Sequence, residues 1–251
     1  MRAVHSTGRE NRARVSVPAL LFTAYVALLV MLMLPPLWAA LLVLPEGRFP
    51  ARLLRRCARF VIHASGCRLR VRGLDRLRDC GSVVVVANHA SYLDSVMLVA
   101  ALPAGYRFVA NHRLASYPAF SLAIRKARFL IVDRTQEASR RACALAMIDT
   151  LRQGTSLFVF PEGTRHRGPG LHPFRLGAFR AAVEIGRPVV PITLTGTSGI
   201  WPHDTWVLHP GSVEVSIHAP IAPAGQGEAE VARLRDQARC EIGLGLPGAQ
   251  S

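Results

Sequence analysis

The sequence predicts an α/β domain, a mostly parallel sheet flanked by helices, behind an N-terminal membrane-associating helical segment. Three observations predict it. Beyond residue 65, short apolar runs alternate with helical stretches, the pattern of a parallel sheet covered by helices. One of these runs, Ser82-Val-Val-Val-Val-Ala87, is continuous enough for a strand buried on both faces. No charged residue occurs from Val15 to Pro45, although both flanks are basic.

In order, residues 1–14 form a basic tail with Arg2, Arg9, Arg12 and Arg14, and residues 15–65 form the anchoring segment. Val15 to Leu34 gives 20 residues, enough as a helix to cross a hydrocarbon core roughly 30 Å thick. Pro35-Pro36 interrupts it and Leu37–Leu44 resumes the apolar character, so a single span and a re-entrant hairpin bent at the prolines are both open, with the hairpin favoured. The apolar stretch is too long for a signal peptide and lacks a small-residue cleavage site. Residues 51–64 place Leu53, Leu54, Cys57, Ala58, Val61 and Ile62 at helical spacing with arginines opposite, a basic amphipathic helix suited to lipid head groups or to packing on the domain.

The third segment, residues 66–251, carries the alternation. Strands are expected at Arg68–Arg72, Ser82–Ala87, Arg107–Ala110, Phe129–Val132, Ser156–Phe160, Val189–Thr195 and Val213–Ile217. Helices are expected at Ser91–Leu102, Ser116–Lys126, Glu137–Gln153 and Leu176–Ile185, with a charged, peripheral helix at Glu228–Glu241. Gly154 and Gly186 stand where glycines end helices.

The formal net charge of +15 rests almost wholly on arginine, since Lys126 is the sole lysine. This balance suits anionic partners such as phospholipid head groups, a phosphorylated substrate or an acidic carrier protein. The five cysteines form no CxxC pair, which excludes a zinc site or a disulfide framework and fits a cytoplasm-facing location.

Chemistry is expected at loops after strands, where α/β sheets place their ligands. Asn88-His-Ala-Ser-Tyr-Leu-Asp94 joins a strand to a helix with a histidine able to move protons near neutral pH and an aspartate able to orient it. Ser91-x-x-Asp94 also fits a helix capping box, and the two roles are compatible. Further on come Val132-Asp-Arg134, Phe160-Pro-Glu-Gly-Thr-Arg165 and Val190-Pro-Ile192. The proline inside that last apolar strand argues for an edge, a bulge or a bend. Arginine's planar fork makes Arg134 and Arg165 candidate phosphate ligands. Gly163 is a candidate for close backbone approach, with an N–H toward a developing oxyanion.

These four blocks, in this order behind an apolar anchor, resemble the motif blocks of the glycerolipid acyltransferase family, in its 1-acylglycerol-3-phosphate branch. The resemblance covers roughly residues 80–195. It implies His89 as the base that deprotonates a glycerol hydroxyl and Asp94 as its orienting partner. The hydroxyl oxygen would attack the acyl thioester directly, with no acyl-enzyme. It further implies substrate contacts from Asn88, Ser91, Arg134, Glu162, Gly163, Thr164 and Arg165, and Pro191 on the acyl side. The acyl donor would be acyl-CoA or acyl carrier protein, with no prosthetic group or metal. The acceptor would be lysophosphatidic acid or another lysolipid such as a lyso-ornithine lipid. The resemblance places the enzyme at the cell inner membrane with its catalytic domain on the cytoplasmic face. Three positions depart from the family pattern: Asn111 where relatives often carry lysine, a second block (Arg128–Val132) without its glycine, and Phe174-Arg-Leu-Gly177 in place of Phe-Lys-x-Gly.

A non-enzymatic binder of anionic lipid or nucleic acid would need only the charge, not the His89/Asp94 pair beside the Pro161–Arg165 turn; no nucleic-acid partner is expected. A serine hydrolase is disfavoured because no Gly-x-Ser-x-Gly elbow occurs.

Overall fold

The valine run Val83–Val86 is buried from both sides, and this sets the layering. Val85 and Ala87 face one core with α2 (Arg48–Ala64) and α3 (Leu93–Ala101). Val84 and Val86 face a second core with α6 (Glu137–Arg152), α7 (Gly177–Ile185) and α9 (Gly227–Leu244). The computed structural model describes residues 16–78, 80–166, 170–203 and 205–247; the basic tail expected over residues 1–14 lies outside them.

Between the helical layers lies a sheet built from β1 (Arg68–Arg72), β2 (Val84–Ala87), β3 (Arg107–Asn111), β4 (Leu130–Val132), β5 (Leu157–Val159), β6 (Val189–Thr195) and β7 (Ser212–Ile217). Their order is β1-β7-β6-β2-β5-β3-β4. From β6 to β4 all neighbours are parallel, while β7 runs against β6 and carries β1 with it. The expected fold class is therefore the observed one. The ends of β2, β5, β3, β4 and β6 all open toward the same edge of the sheet, which gathers the loops that carry the four sequence blocks.

Several local expectations are corrected. Pro35 and Pro36 do not bend the chain into a hairpin, since α1 (Val17–Val43) is one helix through both prolines. The ring nitrogens withhold hydrogen bonds from the carbonyls of Met31 and Leu32, residues whose own side chains are 69% and 67% exposed. The surrounding leucine, methionine and alanine residues are strong helix formers that carry the helix past the gap. Pro191 lies neither at an edge nor in a bulge: β6 is an interior strand, and Pro191 faces Val86. Its missing N–H falls in a break on the β7 side, between the ladder that begins at Ile192↔Ile217 and the single bridge Val189↔Ile221. The helix expected at Ser116–Lys126 is α5 (Pro118–Lys126), and an unexpected short helix, α4 (His112–Ala115), precedes it, capped by Asn111, which accepts from Arg113 N–H at 3.0 Å. A further short helix, α8 (Thr197–Ile200), follows β6.

α9 is not peripheral. Val231, Leu234, Ala238 and Ile242 lie on one face, all buried against β6 and α7, and the charges fill the opposite face. Replacing Leu234, fully buried, by alanine should lower the unfolding free energy of the detergent-solubilised protein by about 2–5 kcal/mol, read from its denaturation midpoint. Arg128, at the start of the second block, is the one non-glycine with positive φ among the described residues (φ 56°). Its side chain offers only an exposed pairing with Glu46 at 3.6 Å. Arg128→Gly should raise stability by about 0.5–1 kcal/mol, as relief of left-handed strain outweighs the added freedom of the unfolded chain; a lower midpoint in the same assay would refute this.

Candidate active site

β2 delivers the chain to His89, and the turn that follows is organised by one carboxylate oxygen. Asp94 Oδ2 accepts from Ala90 N–H at 2.6 Å, Ser91 N–H at 2.7 Å and His89 Nδ1 at 2.8 Å. Asp94 is fully buried, and its other oxygen, Oδ1, has no hydrogen-bond partner. The capping and histidine-orienting roles are thus played by the same atom. A carboxylate only accepts, so in the neutral imidazole this contact selects the tautomer with the proton on Nδ1 and the lone pair on Nε2. Ser91 makes only half of a capping box: its N–H donates to Asp94, but Asp94 N–H bonds to Ser91 O at 3.3 Å rather than to the hydroxyl. Its hydroxyl points away to Trp201 O at 3.1 Å and accepts from Leu93 N–H at 3.3 Å.

The Pro161–Arg165 turn braces the base from the neighbouring strand. Glu162 is buried and bridges two backbone donors, His89 N–H at 2.8 Å and His172 N–H at 2.9 Å. His166 N–H returns a bond to His89 O at 2.7 Å. The His89 ring lies flat on Phe160, with centroids 3.9 Å apart and planes at 14°. Phe160 was legible only as the last apolar residue of a strand; the packing partner of His89 required the β2–β5 pairing to be seen. Gly163 adopts φ 76°, and its N–H is bonded to Phe160 O at 3.1 Å, so it is not the free oxyanion donor expected. Asn88 closes the other side: its amide accepts from Leu194 N–H at 2.7 Å and donates to Leu194 O at 3.0 Å, tying β2 to β6.

A cavity of about 250 Å³ opens on this turn, lined in part by His89, Ala90, Glu162, Thr195, Thr197 and Leu246. His89's side chain is 16% exposed there. Asn88 lines the cavity with its amide already engaged, while Pro191 sits within the sheet and is not among the lining residues. The C-terminal wall, Leu246-Pro247, carried no sequence signal, since nothing in its composition tells which loop it will meet.

The two candidate phosphate arginines are placed differently. Arg165 lies over the Tyr92 ring, 3.4 Å from its centroid, with a contact to His203 Nδ1 at 3.4 Å, so it clasps the His89–Asp94 turn. Thr164 is exposed beside it. Arg134, half-buried after β4, has its pKa lowered, first by burial and then by the charge of Arg175. The adjacent Asp133 is held below the usual carboxylate range by the Thr135 hydroxyl and N–H. No carboxylate lies within ion-pairing distance of Arg134, Arg165 or Arg175 among the described residues.

Comparison with known proteins gives the family. The chain is 36% identical over 153 residues to the chloroplastic 1-acyl-sn-glycerol-3-phosphate acyltransferase BAT2 of Brassica napus and 34% over 156 residues to the chloroplastic LPAT1 of Arabidopsis thaliana. It covers 60% and 61% of itself in these matches but only 44% of each relative, so it spans less than half the length of these plant proteins. It is 24% identical to the 1-acyl-sn-glycerol-3-phosphate acyltransferase of Borreliella burgdorferi, over 76% of each chain. The crystal structure of the 1-acyl-sn-glycerophosphate (LPA) acyltransferase of Thermotoga maritima superposes with a TM-score of 0.75, 23% identity and coverage of 91% of this chain and 95% of that one, the same fold. A family model described as Acyltransferase matches residues 68–195, just over half of the 251 residues. That span runs from β1 to the end of β6 and holds His89, Asp94, Arg134 and Glu162; the chain belongs to the acyltransferase family.

Proposed function

We propose that this chain is a membrane-associated O-acyltransferase that moves a fatty acyl group from an acyl thioester to the free hydroxyl of lysophosphatidic acid, giving phosphatidic acid. The observation that carries the reading is His89, held by Asp94 through Nδ1 at 2.8 Å and lining a cavity. An alcohol is too weak an acid to attack a thioester unaided, and a positioned imidazole supplies the missing base. His89 Nε2 takes the hydroxyl proton as the oxygen bonds to the thioester carbonyl carbon. The tetrahedral oxyanion then collapses, the C–S bond breaks, and the leaving thiolate takes the proton from Nε2. Asp94 stabilises the imidazolium between these two transfers. The acceptor's identity is supported by the printed names of the matched relatives.

In this reading Arg134 binds the acceptor phosphate, and Thr164 and Arg165 border the glycerol. Glu162, Asn88 and Ser91 hold the turn in place through the backbone. Pro191 acts from within β6, shaping the acyl side indirectly. The donor is acyl-CoA or an acyl carrier protein, whose acidic surface the +15 chain attracts. α1 is long and apolar enough to cross a membrane, with about 40 Å of helix available, and its outward face is bare. The arginines of α2 beside it suit anionic head groups. We assign the protein to the inner membrane with the site on the cytoplasmic face.

The test is acyl transfer to lysophosphatidic acid from each donor. His89→Ala should lose about 10²-fold or more in kcat, and Asp94→Asn should fall on the order of 10²- to 10⁴-fold through loss of the tautomer lock. A folded His89→Ala protein with wild-type activity would sink the reading. Membrane attachment through α1 is apolar, so the protein should stay with the membrane pellet in 1 M NaCl and leave it only with detergent. Release by salt alone would mark the attachment as electrostatic.

A further inference from the structure

Arg175 has no role in any expectation above, yet its placement is specific. It enters the site from the loop after β5, where its backbone N–H is bonded to Pro161 O at 2.9 Å. Its side chain lies directly over Gly163. A Cβ built on Gly163 would stand 2.5 Å from Arg175 Nε and 3.1 Å from its Cδ, so this position has room for the guanidinium only while it is glycine. Gly163 is itself buried, one residue beyond Glu162, whose carboxylate holds the His89 backbone. On its other side its charge reaches Arg134, whose pKa it helps burial to lower.

Arg175 is exposed and Arg134 half-buried; with no carboxylate paired to either among the described residues the two like charges repel, and the half-buried one is costly to leave uncompensated. The arrangement makes physical sense when an anion completes it. A phosphate monoester fits best, because it carries close to two negative charges at neutral pH and three acceptor oxygens for two planar forks. Gly163, beneath Arg175, directly follows Glu162, whose carboxylate accepts from His89 N–H at 2.8 Å. In lysophosphatidic acid only two carbons and one ester oxygen separate the acceptor hydroxyl oxygen from phosphorus, so the phosphate must bind close to the base.

We propose that Arg175, seated on Gly163, is a second phosphate ligand of the acceptor, and that with Arg134 it forms a two-guanidinium clamp selecting a phosphate monoester over phosphodiester and zwitterionic head groups. This rests on the acyltransferase reading and gives it a specificity determinant. A phosphodiester brings one negative charge and leaves one arginine uncompensated. An ornithine head group brings an ammonium toward two cations.

The experiment uses the full-length protein in detergent or membranes and measures KM and kcat for lysophosphatidic acid, for lysophosphatidylglycerol as the phosphodiester, and for the acyl donor. Arg175→Gln should raise KM for lysophosphatidic acid about 10- to 100-fold, with a smaller effect on the diester and less than threefold on the donor. Arg175→Lys should fall between, since lysine restores the charge but not the fork. If either variant melts with wild type and keeps its KM for lysophosphatidic acid within twofold, Arg175 is not a ligand. Equal loss toward monoester, diester and donor would likewise overturn the clamp and leave Arg175 as a structural residue. Should Arg175→Gln not fold, the lysine variant alone decides by the same criteria. A wild-type protein that transfers no acyl group to lysophosphatidic acid would overturn the parent reading, and the clamp with it; a wild type that transfers while the variants are unaffected overturns the clamp alone.

Discussion

Everything at the site depends on the buried Asp94 carboxylate. A carboxylate out of water is tolerable only when hydrogen bonds replace its hydration, and three donors converge on one oxygen to do so. Two of them are backbone N–H groups of residues 90 and 91, so satisfying the charge also fixes the path of the turn. The third is the His89 imidazole, the base of the proposed reaction. Stability and chemistry are therefore the same set of bonds: no rotation of His89 away from the cavity is available without stripping a partner from a buried charge. The bonds made by Glu162 and Asn88 extend this logic outward, tying the residues on either side of the turn to the strands next to β2.

How much of this was legible in the sequence follows from which interactions are local. The Ser82–Ala87 run announced a doubly buried strand because a strand covered on both faces cannot carry a polar residue on either. His89 and Asp94 are five residues apart, so their partnership could be read from spacing and chemistry. The stacking of His89 on Phe160 and the Asn88–Leu194 tie could not, since they depend on β2 lying between β5 and β6, an order that no local pattern encodes. The same cause lies behind the misjudged α9. Its charged residues dominate the composition, while the four buried positions that decide its place are spread at helical spacing and meet β6 only in three dimensions. Pro191 misled for a related reason. A proline's cost depends on whether its neighbour would have paired at that residue, and here the β7 ladder starts one residue later.

The excess of arginine acquires meaning from where partners are missing. With 31 basic against 16 acidic residues, most arginines cannot be neutralised within the chain. On the helical periphery the exposed pair Arg180–Glu228 contributes little, while Arg233 holds the buried Glu230 carboxylate by two bonds. Around the site the pattern reverses: among the described residues no acid pairs with Arg134 or Arg175, and Arg165 lies over Tyr92. Arg165 also shows that two arginines in equally suggestive motifs can do different work, one holding the loop and the other facing a charge-deficient space.

The apolar anchor and the catalytic turn are built as one unit. The Thr23 hydroxyl in α1 accepts from Leu208 N–H at 2.8 Å, and the segment leading to Leu208 is pinned by the Trp201 indole donating to Thr205 O at 3.1 Å. Trp201 O in turn accepts from Ser91, a member of the Asp94 turn. At the far end of α1, Lys126 donates to Leu44 O at 2.6 Å, and Tyr25 ties the helix to the last turn of α2 through Ala64 O at 2.9 Å. A helix fastened at both ends cannot pivot freely, so whatever depth α1 takes in a bilayer sets the height and tilt of the cavity above it. In the proposed reaction the acceptor is itself a membrane lipid, and there this constraint would bring the head group to His89 while the acyl chain remains near the hydrocarbon. A loosely tethered domain would have to find that geometry at each encounter, whereas this one carries it in the fold.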